Sequence, residues 1–157
     1  MHHEKSRTAR RKGFSLIELL IVIAIIGILA GVIIPQFQGS VRKANEAAAV
    51  ATLNAIRVAQ AKYATDHKGS YGKFSELFEQ GYLDKRFKTD EPHERGYIFI
   101  LTLTARADGK ATAFSVNANP EQATGIGSTG KVFFYIDPDS GICFSTTGPA
   151  TAADETL

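Results

Sequence analysis

The sequence predicts an α+β protein in which one long N-terminal α-helix packs on a four-stranded antiparallel sheet. Two observations support this class. Residues 14–66 read as helix, with an apolar run followed by an alanine-rich stretch that contains no proline or glycine from residue 40 to residue 66. The second half contains four strand-like runs that come in two pairs, each pair flanking a turn sequence. A helix that covers one face of such a sheet would complete a two-layer core.

The residues before the apolar run are strongly basic. Residues 1–13 contain five Lys and Arg residues against one Glu, so the chain's formal charge of +2 becomes −2 without them. The basic character therefore belongs to the N-terminus and not to the folded body. This distribution argues against a nucleic-acid-binding domain, and we expect no direct nucleic-acid binding.

The apolar run extends from Phe14 to Ile34 and contains one charged residue, Glu18. At about 1.5 Å per residue, these 21 residues form enough helix to cross a hydrocarbon core of about 30 Å. The preceding basic cluster predicts a cytoplasmic N-terminus and an exported remainder. A secretory signal peptide would instead need a small-x-small cleavage site after the run. The sequence there is Pro35-Gln36-Phe37-Gln38, which favours a retained helix, and a plain single-pass anchor stays open.

Glu18 distinguishes these alternatives. A carboxylate inside a membrane helix costs roughly 2.5–3.5 kcal/mol and usually has a partner and a function. Glu18 lies four residues after Phe14. The basic segment ends and the apolar run begins at Gly13-Phe14. Cleavage between Gly13 and Phe14 would create an α-amino group that is protonated near neutral pH. This amine and Glu18 would then neutralise each other, within one subunit or between neighbours.

The segment RRKGFSLIELLIVIAIIGILAGVIIPQF, residues 10–37, resembles the N-terminus of type IV pilins and pseudopilins. The resemblance implies the pilin fold and a prepilin peptidase that cuts after Gly13 and methylates the new N-terminal residue, Phe14. Glu18 would take the role of the glutamate that aligns incoming subunits by attracting a neighbour's amine. Residues 1–13 would be a removed leader, 14–39 the membrane-spanning and filament-core half of the helix, and 40–157 the amphipathic half with the globular sheet domain.

Three residues of the apolar run bear on its flexibility. Gly27 and Gly31 form a G-x-x-x-G pair that allows close helix approach, and Pro35 lacks the N–H of a regular helix. These residues predict either a bent membrane helix or a specific helix contact. The resemblance further implies that this stretch can lose helical regularity during assembly.

The second half of the helix has two distinct faces. One carries residues at helical spacing for packing on a globular body: Ala49, Leu53, Ile56, Gln60 and Tyr63. The other is a row of small residues, which suits helix–helix contact in a filament or simply reflects the helix propensity of alanine: Ala44, Ala48, Ala51, Ala55 and Ala59.

The strands are predicted as two hairpins. Residues 97–104 and 111–116 flank Asp108-Gly109, and residues 131–136 and 142–146 flank the turn at 137–141.

The structure of the remaining segments is predicted from their content of glycine and polar residues. Residues 67–96 are expected to connect helix and sheet, with one short helix at 75–79 capped by Ser75. Residues 117–130 are expected to be irregular, and the small, polar tail at 147–157 to be mobile.

Catalytic and metal-binding patterns are scarce in this sequence, which predicts a non-enzymatic protein without a cofactor. The lone cysteine, Cys143, is interpreted as a buried strand residue, and without a second cysteine no intramolecular disulfide can form. Asp137 and Asp139 supply oxygen atoms of the kind that calcium binds, but Asp-Pro-Asp-Ser-Gly is also an ordinary turn sequence, and we favour the turn.

The leading hypothesis is a structural subunit of a type IV pilus, a homo-oligomeric helical filament that serves adhesion, motility or DNA uptake. The resemblance implies as partners the prepilin peptidase and the assembly platform and ATPase of the pilus machinery. The chain would reside in the bacterial inner membrane before assembly and in an extracellular pilus afterwards. The alternative is a type II secretion pseudopilin in a periplasmic filament, and a third hypothesis is a monomeric membrane-anchored binding module.

Overall fold

The computed structural model describes residues 13–105 and 111–157. The chain divides into two compact units, residues 1–37 and residues 38–157. The described elements are helix α1 (Leu16–Asp66), helix α2 (Phe74–Glu79), a 3₁₀ helix (Lys85–Phe87), and strands β1 (His93–Glu94), β2 (Tyr97–Ala105), β3 (Ala111–Pro120), β4 (Phe133–Ile136), β5 (Cys143–Ser145) and β6 (Glu155–Thr156). The α+β prediction with a long N-terminal helix is confirmed.

The strands form one antiparallel sheet in the order β1-β2-β3-β4-β5-β6. The described residues thus contain six strands rather than the four predicted, because a two-residue strand adds to each edge. At one edge, Arg95 and Gly96 connect β1 to β2 with φ angles of 47° and 74°. Two successive residues at positive φ, between paired Glu94 and Tyr97, give the two-residue hairpin turn that matches the twist of the strands.

Strand β3 is longer than predicted. It continues past Val116 to Pro120, so the expected irregular segment begins four residues too early. Ala118 and Pro120 are buried whereas Asn117 and Asn119 are half-buried, as expected when a strand turns alternate residues to opposite faces. The predicted turn at Asp108-Gly109 lies outside the described residues.

The packing face of α1 is confirmed. Its five predicted residues are all buried, at 0–7% exposure: Ala49, Leu53, Ile56, Gln60 and Tyr63. The four residues of this face other than Gln60 pack in one core with Tyr97, Phe99, Phe114 and Phe134 of the sheet. On the alanine face only Ala59 is buried, and the other residues range from half-buried to exposed.

Helix α2 begins one residue before the predicted cap. Phe74, not Ser75, starts the helix because its ring is buried in the core, at 1% exposure. The first turn is closed by Glu76, whose Oε2 accepts a hydrogen bond from the backbone N–H of Lys73 at 2.7 Å.

The tail is held by hydrogen bonds, so the prediction of a mobile tail is wrong. Asn117 Nδ2 donates to the carbonyl of Ala150 at 2.7 Å, and Ala150 is 2% exposed. Strand β6 then pairs with β5, and the N–H of Leu157 donates to the carbonyl of Ile142 at 2.8 Å. Backbone pairing supplies the order that small side chains alone would not predict.

Candidate functional site

The predicted cleavage site lies just before α1 begins at Leu16. Phe14 is 84% exposed, and no atom lies within 4 Å of the position that a Cβ on Gly13 would occupy. Among the described residues, nothing covers Gly13 or Phe14, and both are exposed. The rest of the predicted leader, residues 1–12, lies outside the described residues.

The first half of α1 is apolar around its whole circumference. None of the residues in its most apolar 18-residue stretch is buried in the chain. A monomeric soluble protein rarely leaves such a large apolar surface uncovered. By length and composition this helix can cross a membrane, a criterion that a signal sequence near an N-terminus also meets.

Glu18 is the acidic residue of the first turn of α1, and its side chain is exposed. The unpaired N–H groups at a helix N-terminus favour a negative charge at this position. Among the described residues, Arg86 forms ion pairs with Asp84 and Glu94, and His93 contacts Glu121, and none of these contacts involves Glu18. The glutamate thus presents its charge on an otherwise apolar surface.

Helix α1 passes through all three residues that were predicted to make it flexible. A Cβ on Gly27 or Gly31 would meet no atom within 4 Å, so both glycines leave a bare strip of backbone for another helix. Pro35 has no N–H to donate to the carbonyl of Gly31, one turn earlier. Local loss of helix during assembly stays a prediction.

Asp137 and Asp139 lie in the turn between β4 and β5, as the turn interpretation predicts. Asp137 Oδ1 accepts hydrogen bonds from the backbone N–H of Asp139 at 2.9 Å and of Ser140 at 2.5 Å. Burial pushes the pKa of Asp137 upwards, but these hydrogen bonds outweigh it and hold the pKa below its usual value. No group of three or more potential metal ligands occurs among the described residues, so the calcium hypothesis gains no support.

Cys143 is confirmed as a buried strand residue, at 1% exposure in β5. It is a free cysteine that lies opposite Tyr135, on the face of the sheet away from Phe134 and Phe144, which pack in the core.

The sequence did not reveal a polar connection between α1 and the loop that follows β3. Arg42 Nη1 donates to Ser128 Oγ at 3.0 Å, and Asn45 Nδ2 donates to the carbonyl of Thr129 at 2.8 Å. Glu46 completes the set by accepting from the N–H of Lys131 at 2.9 Å. Residues 42, 45 and 46 share one helix face. Three polar residues at this spacing in an alanine-rich stretch could have indicated that this face contacts another polar segment.

The chain is similar to known proteins both in its N-terminal segment and over almost its whole length. Residues 8–34 match the family model of the prokaryotic N-terminal methylation motif. A relative from Thermus thermophilus, the type IV wide pilus major component PilA4, is 31% identical over 144 residues, which cover 92% of this chain and 95% of that protein. The chain belongs to the type IV pilin family.

Other relatives match a shorter part of the chain. A fimbrial protein of Pseudomonas aeruginosa is 49% identical over 49 residues, 31% of this chain and 32% of that protein. The type II secretion system core protein G of Escherichia coli is 37% identical over 60 residues, 38% of this chain and 41% of that protein. None of the solved structures matches this pilin significantly.

Proposed function

We propose that this pilin is a structural subunit of a type IV pilus and polymerises through the apolar first half of α1. The observation that carries the proposal is the exposed apolar helix joined to a folded sheet domain, in a chain similar over almost its full length to a pilus major component. Outside a membrane that helix must be covered, and the same helix of neighbouring copies offers a matching surface. Its role is therefore structural, and the energy for assembly would come from a separate ATPase and platform.

Processing would precede assembly. A prepilin peptidase would cut between Gly13 and Phe14 and methylate the amine of Phe14, both within the matched motif. The chain would lie in the inner membrane at this stage, with the basic leader in the cytoplasm. The exposure of Phe14 and the open space around Gly13 support access for the enzyme.

Glu18 would guide the incoming subunit. A carboxylate on an apolar surface in a low-dielectric environment strongly prefers a cation nearby. The amine of Phe14 from a neighbouring subunit is such a cation. Their attraction would set the axial position of each new subunit as the apolar helices pack together.

A secretion pseudopilin is the second candidate function. It is favoured by the similarity to the type II secretion system core protein G. The two candidates share the processing step and differ in where the filament grows. Surface filaments at native expression levels would support the pilus, and mature protein confined to the cell envelope would support the pseudopilin.

The first test is intact-mass and N-terminal peptide mass spectrometry of the protein from native membranes and from sheared cell-surface material. We expect a chain that begins at methylated Phe14 in the sheared fraction. A chain that still begins at Met1, in a host with an active prepilin peptidase, would overturn the proposal.

The second test replaces Glu18 by Gln, which keeps the shape of the side chain and removes its charge. We expect a large loss of filaments with unchanged membrane insertion, measured by immunoblotting of sheared and membrane fractions. Ser15→Ala, in the same exposed segment, is the matched control and should assemble normally. Normal filament yield from Glu18→Gln would contradict the proposed role of this carboxylate.

A further inference from the structure

A short loop that follows strand β3 is closed at its base by two hydrogen bonds. The N–H of Thr129 donates to the carbonyl of Gln122 at 2.9 Å, and the N–H of Gln122 donates to Thr129 Oγ1 at 3.1 Å. Inside the loop, Gln122 Nε2 donates to the carbonyls of Thr124 at 3.2 Å and Ile126 at 3.1 Å. The side chain of one glutamine therefore fixes the path of this segment, which is called the 122–129 loop below.

Ile126 lies at the tip of the 122–129 loop and is almost fully exposed. Its exposure is 90%, above that of every other large apolar residue that the structure describes. Gly125 and Gly127 flank it with φ angles of 86° and 83°, a region of backbone space that residues with a Cβ rarely adopt. The two glycines have no side chains that could cover the isoleucine. A tightly held loop thus presents one large apolar side chain to its surroundings.

The base of the 122–129 loop is held on the part of α1 that follows the apolar run. Ser128 accepts a hydrogen bond from Arg42, and the carbonyl of Thr129 accepts one from Asn45. Arg42 comes eight residues after Ile34, the last residue of the apolar run. Eight residues reach at most about 28 Å when fully extended and rise about 12 Å as helix. Chain length alone therefore keeps the loop near the point where the apolar run ends.

We propose that the 122–129 loop inserts Ile126 into the phospholipid interface of the same bilayer that holds the first half of α1. The polar layer on each side of a hydrocarbon core is roughly 5–8 Å thick. If the apolar run spans that core, a helical rise of about 12 Å ends roughly 5 Å beyond the polar layer. The two residues from Ser128 to Ile126 span up to about 7 Å. The tip can therefore reach the interface, where an exposed isoleucine gains by leaving water.

The charges near the loop suit a phospholipid surface. Residues 122–130 contain no charged side chain, so the tip can enter the interface without burying a charge. Arg42 and Lys43 are the first charged residues after Glu18, and their cations can bind lipid phosphates just outside the hydrocarbon core. Interfacial binding commonly combines an inserted apolar side chain with nearby Lys and Arg residues, and this part of the chain supplies both.

The loop would give the globular unit a second attachment to the membrane, besides the helix itself. This inference rests on the membrane location in the proposed function. A subunit that leaves the bilayer for a filament would have to break both attachments. The contact of the loop with lipid can nevertheless fail while the membrane location holds, and the experiments below distinguish the two.

The first experiment measures whether lipid reaches the loop in the full-length chain. In a Cys143→Ala background, Thr124→Cys carries an environment-sensitive fluorophore, and the chain is reconstituted into vesicles of phosphatidylcholine and phosphatidylglycerol. A small fraction of the lipid carries a nitroxide quencher near the glycerol end of one acyl chain. We expect blue-shifted emission and strong quenching at position 124. The matched label at Thr65→Cys, exposed in the last turn of α1, should show neither.

The second experiment tests whether Ile126 causes the contact. Ile126→Asn should reduce the quenching at position 124 to the level of the Thr65→Cys label, because asparagine gains nothing by entering the interface. Ile126→Leu keeps an apolar side chain and should retain the quenching. Val58→Asn, at another exposed apolar position, is the matched control and should also retain it. Unchanged thermal melting would show that the variants are folded.

Flotation of the vesicles separates this inference from the proposed function. Chains that do not float with the vesicles would overturn the membrane location and the proposed function with it. Chains that float without quenching at position 124 would overturn the loop inference alone. Blue-shifted emission without quenching would show that protein, such as a second copy, covers the loop instead of lipid. Equal quenching at positions 124 and 65, or quenching that survives Ile126→Asn, would overturn the role of Ile126.

Discussion

Gln60 on helix α1 makes two hydrogen bonds with the backbone of Gly72. Its Nε2 donates to the Gly72 carbonyl at 2.7 Å, and its Oε1 accepts from the Gly72 N–H at 3.1 Å. The glutamine is completely buried, so the pair takes the place of water for two backbone groups that the loop cannot satisfy itself. It joins the end of the long helix to the start of the loop that leads to the sheet.

Replacement of Gln60 by Met should therefore destabilise the globular unit by about 1–3 kcal/mol, because it leaves buried backbone groups of Gly72 without partners. The measurement is chemical unfolding of the full-length chain in detergent, followed by tyrosine fluorescence. Lys62→Met, at an exposed position of the same helix, is the control and should change stability by less than about 0.5 kcal/mol. Equal stability of the two variants would show that Gly72 finds other partners.

Gly130 lies against the ring of Tyr97, whose hydroxyl donates to the carbonyl of Val132 at 2.8 Å. A Cβ on Gly130 would lie 2.7 Å from Cζ of that ring, which is buried and closely packed. We expect Gly130→Ala to cost about 1–3 kcal/mol, since the ring or the loop must move. Thermal unfolding measures the loss, and Gly148→Ala, where a Cβ meets no atom within 4 Å, serves as the control. A neutral Gly130→Ala would mean that the loop at 130 yields easily.

Arg95 holds a positive φ of 47° in the turn between β1 and β2. A long side chain is disfavoured in this region of backbone space, whereas Asn is readily accommodated. Arg95→Asn should raise stability by about 0.5–1 kcal/mol, and Arg95→Val should lower it. Melting temperatures of the two variants test the opposite signs. A destabilised Arg95→Asn would instead show that the arginine side chain contributes more than the backbone strain costs.

Asp84 should contribute stability that disappears in acid. Hydrogen bonds from the side chain and backbone of Arg86 lower the pKa of Asp84 from 3.8 to about 2. A carboxyl whose pKa is lower in the folded state stabilises the fold above its unfolded pKa, and this contribution is lost as the pH falls from about 4 towards 2. Because both side chains are about half exposed, the effect should stay below about 1 kcal/mol.

The corresponding measurement compares the unaltered chain with Asp84→Asn by chemical unfolding between pH 6 and pH 2. The difference in stability should be constant at the upper end and vanish near pH 2. It should also shrink in high salt, which screens exposed charges. Asp139→Asn, at an exposed carboxylate outside this ion pair, provides the comparison. A difference that persists unchanged at pH 2 would assign the effect to packing.

The parts of the fold that follow a strong periodic pattern could be predicted. The packing face of α1 repeats at helical spacing over four turns, so its burial follows from the sequence. Strands β1 and β6 could not be predicted because two-residue strands have no periodicity. The turn at Arg95-Gly96 was also hidden, since Asn-Gly is the usual signal and arginine is rare at that position.

The candidate site at the N-terminus could be identified from the sequence, whereas contacts between distant segments could not. The chemistry of residues 13–34 is local: a glycine, an exposed phenylalanine, one carboxylate and a long apolar run, all within the segment that the family model also matches. The connection of Gln60 to Gly72 and the contacts of Arg42, Asn45 and Glu46 with residues 128–131 depend on how distant segments meet in space. Neither periodicity nor composition carries that information.

The C-terminal strand of this sheet is held without covalent help. Strand β6 pairs with β5, Asn117 contacts Ala150, and Leu157 bonds to Ile142, all through hydrogen bonds. The single cysteine, Cys143, lies opposite Thr156 of β6 as a free, buried thiol. Closing this end of the domain therefore requires no oxidant and no thiol-exchange enzyme. The domain can therefore reach its final shape without a redox step, and a reducing environment should leave that shape unchanged.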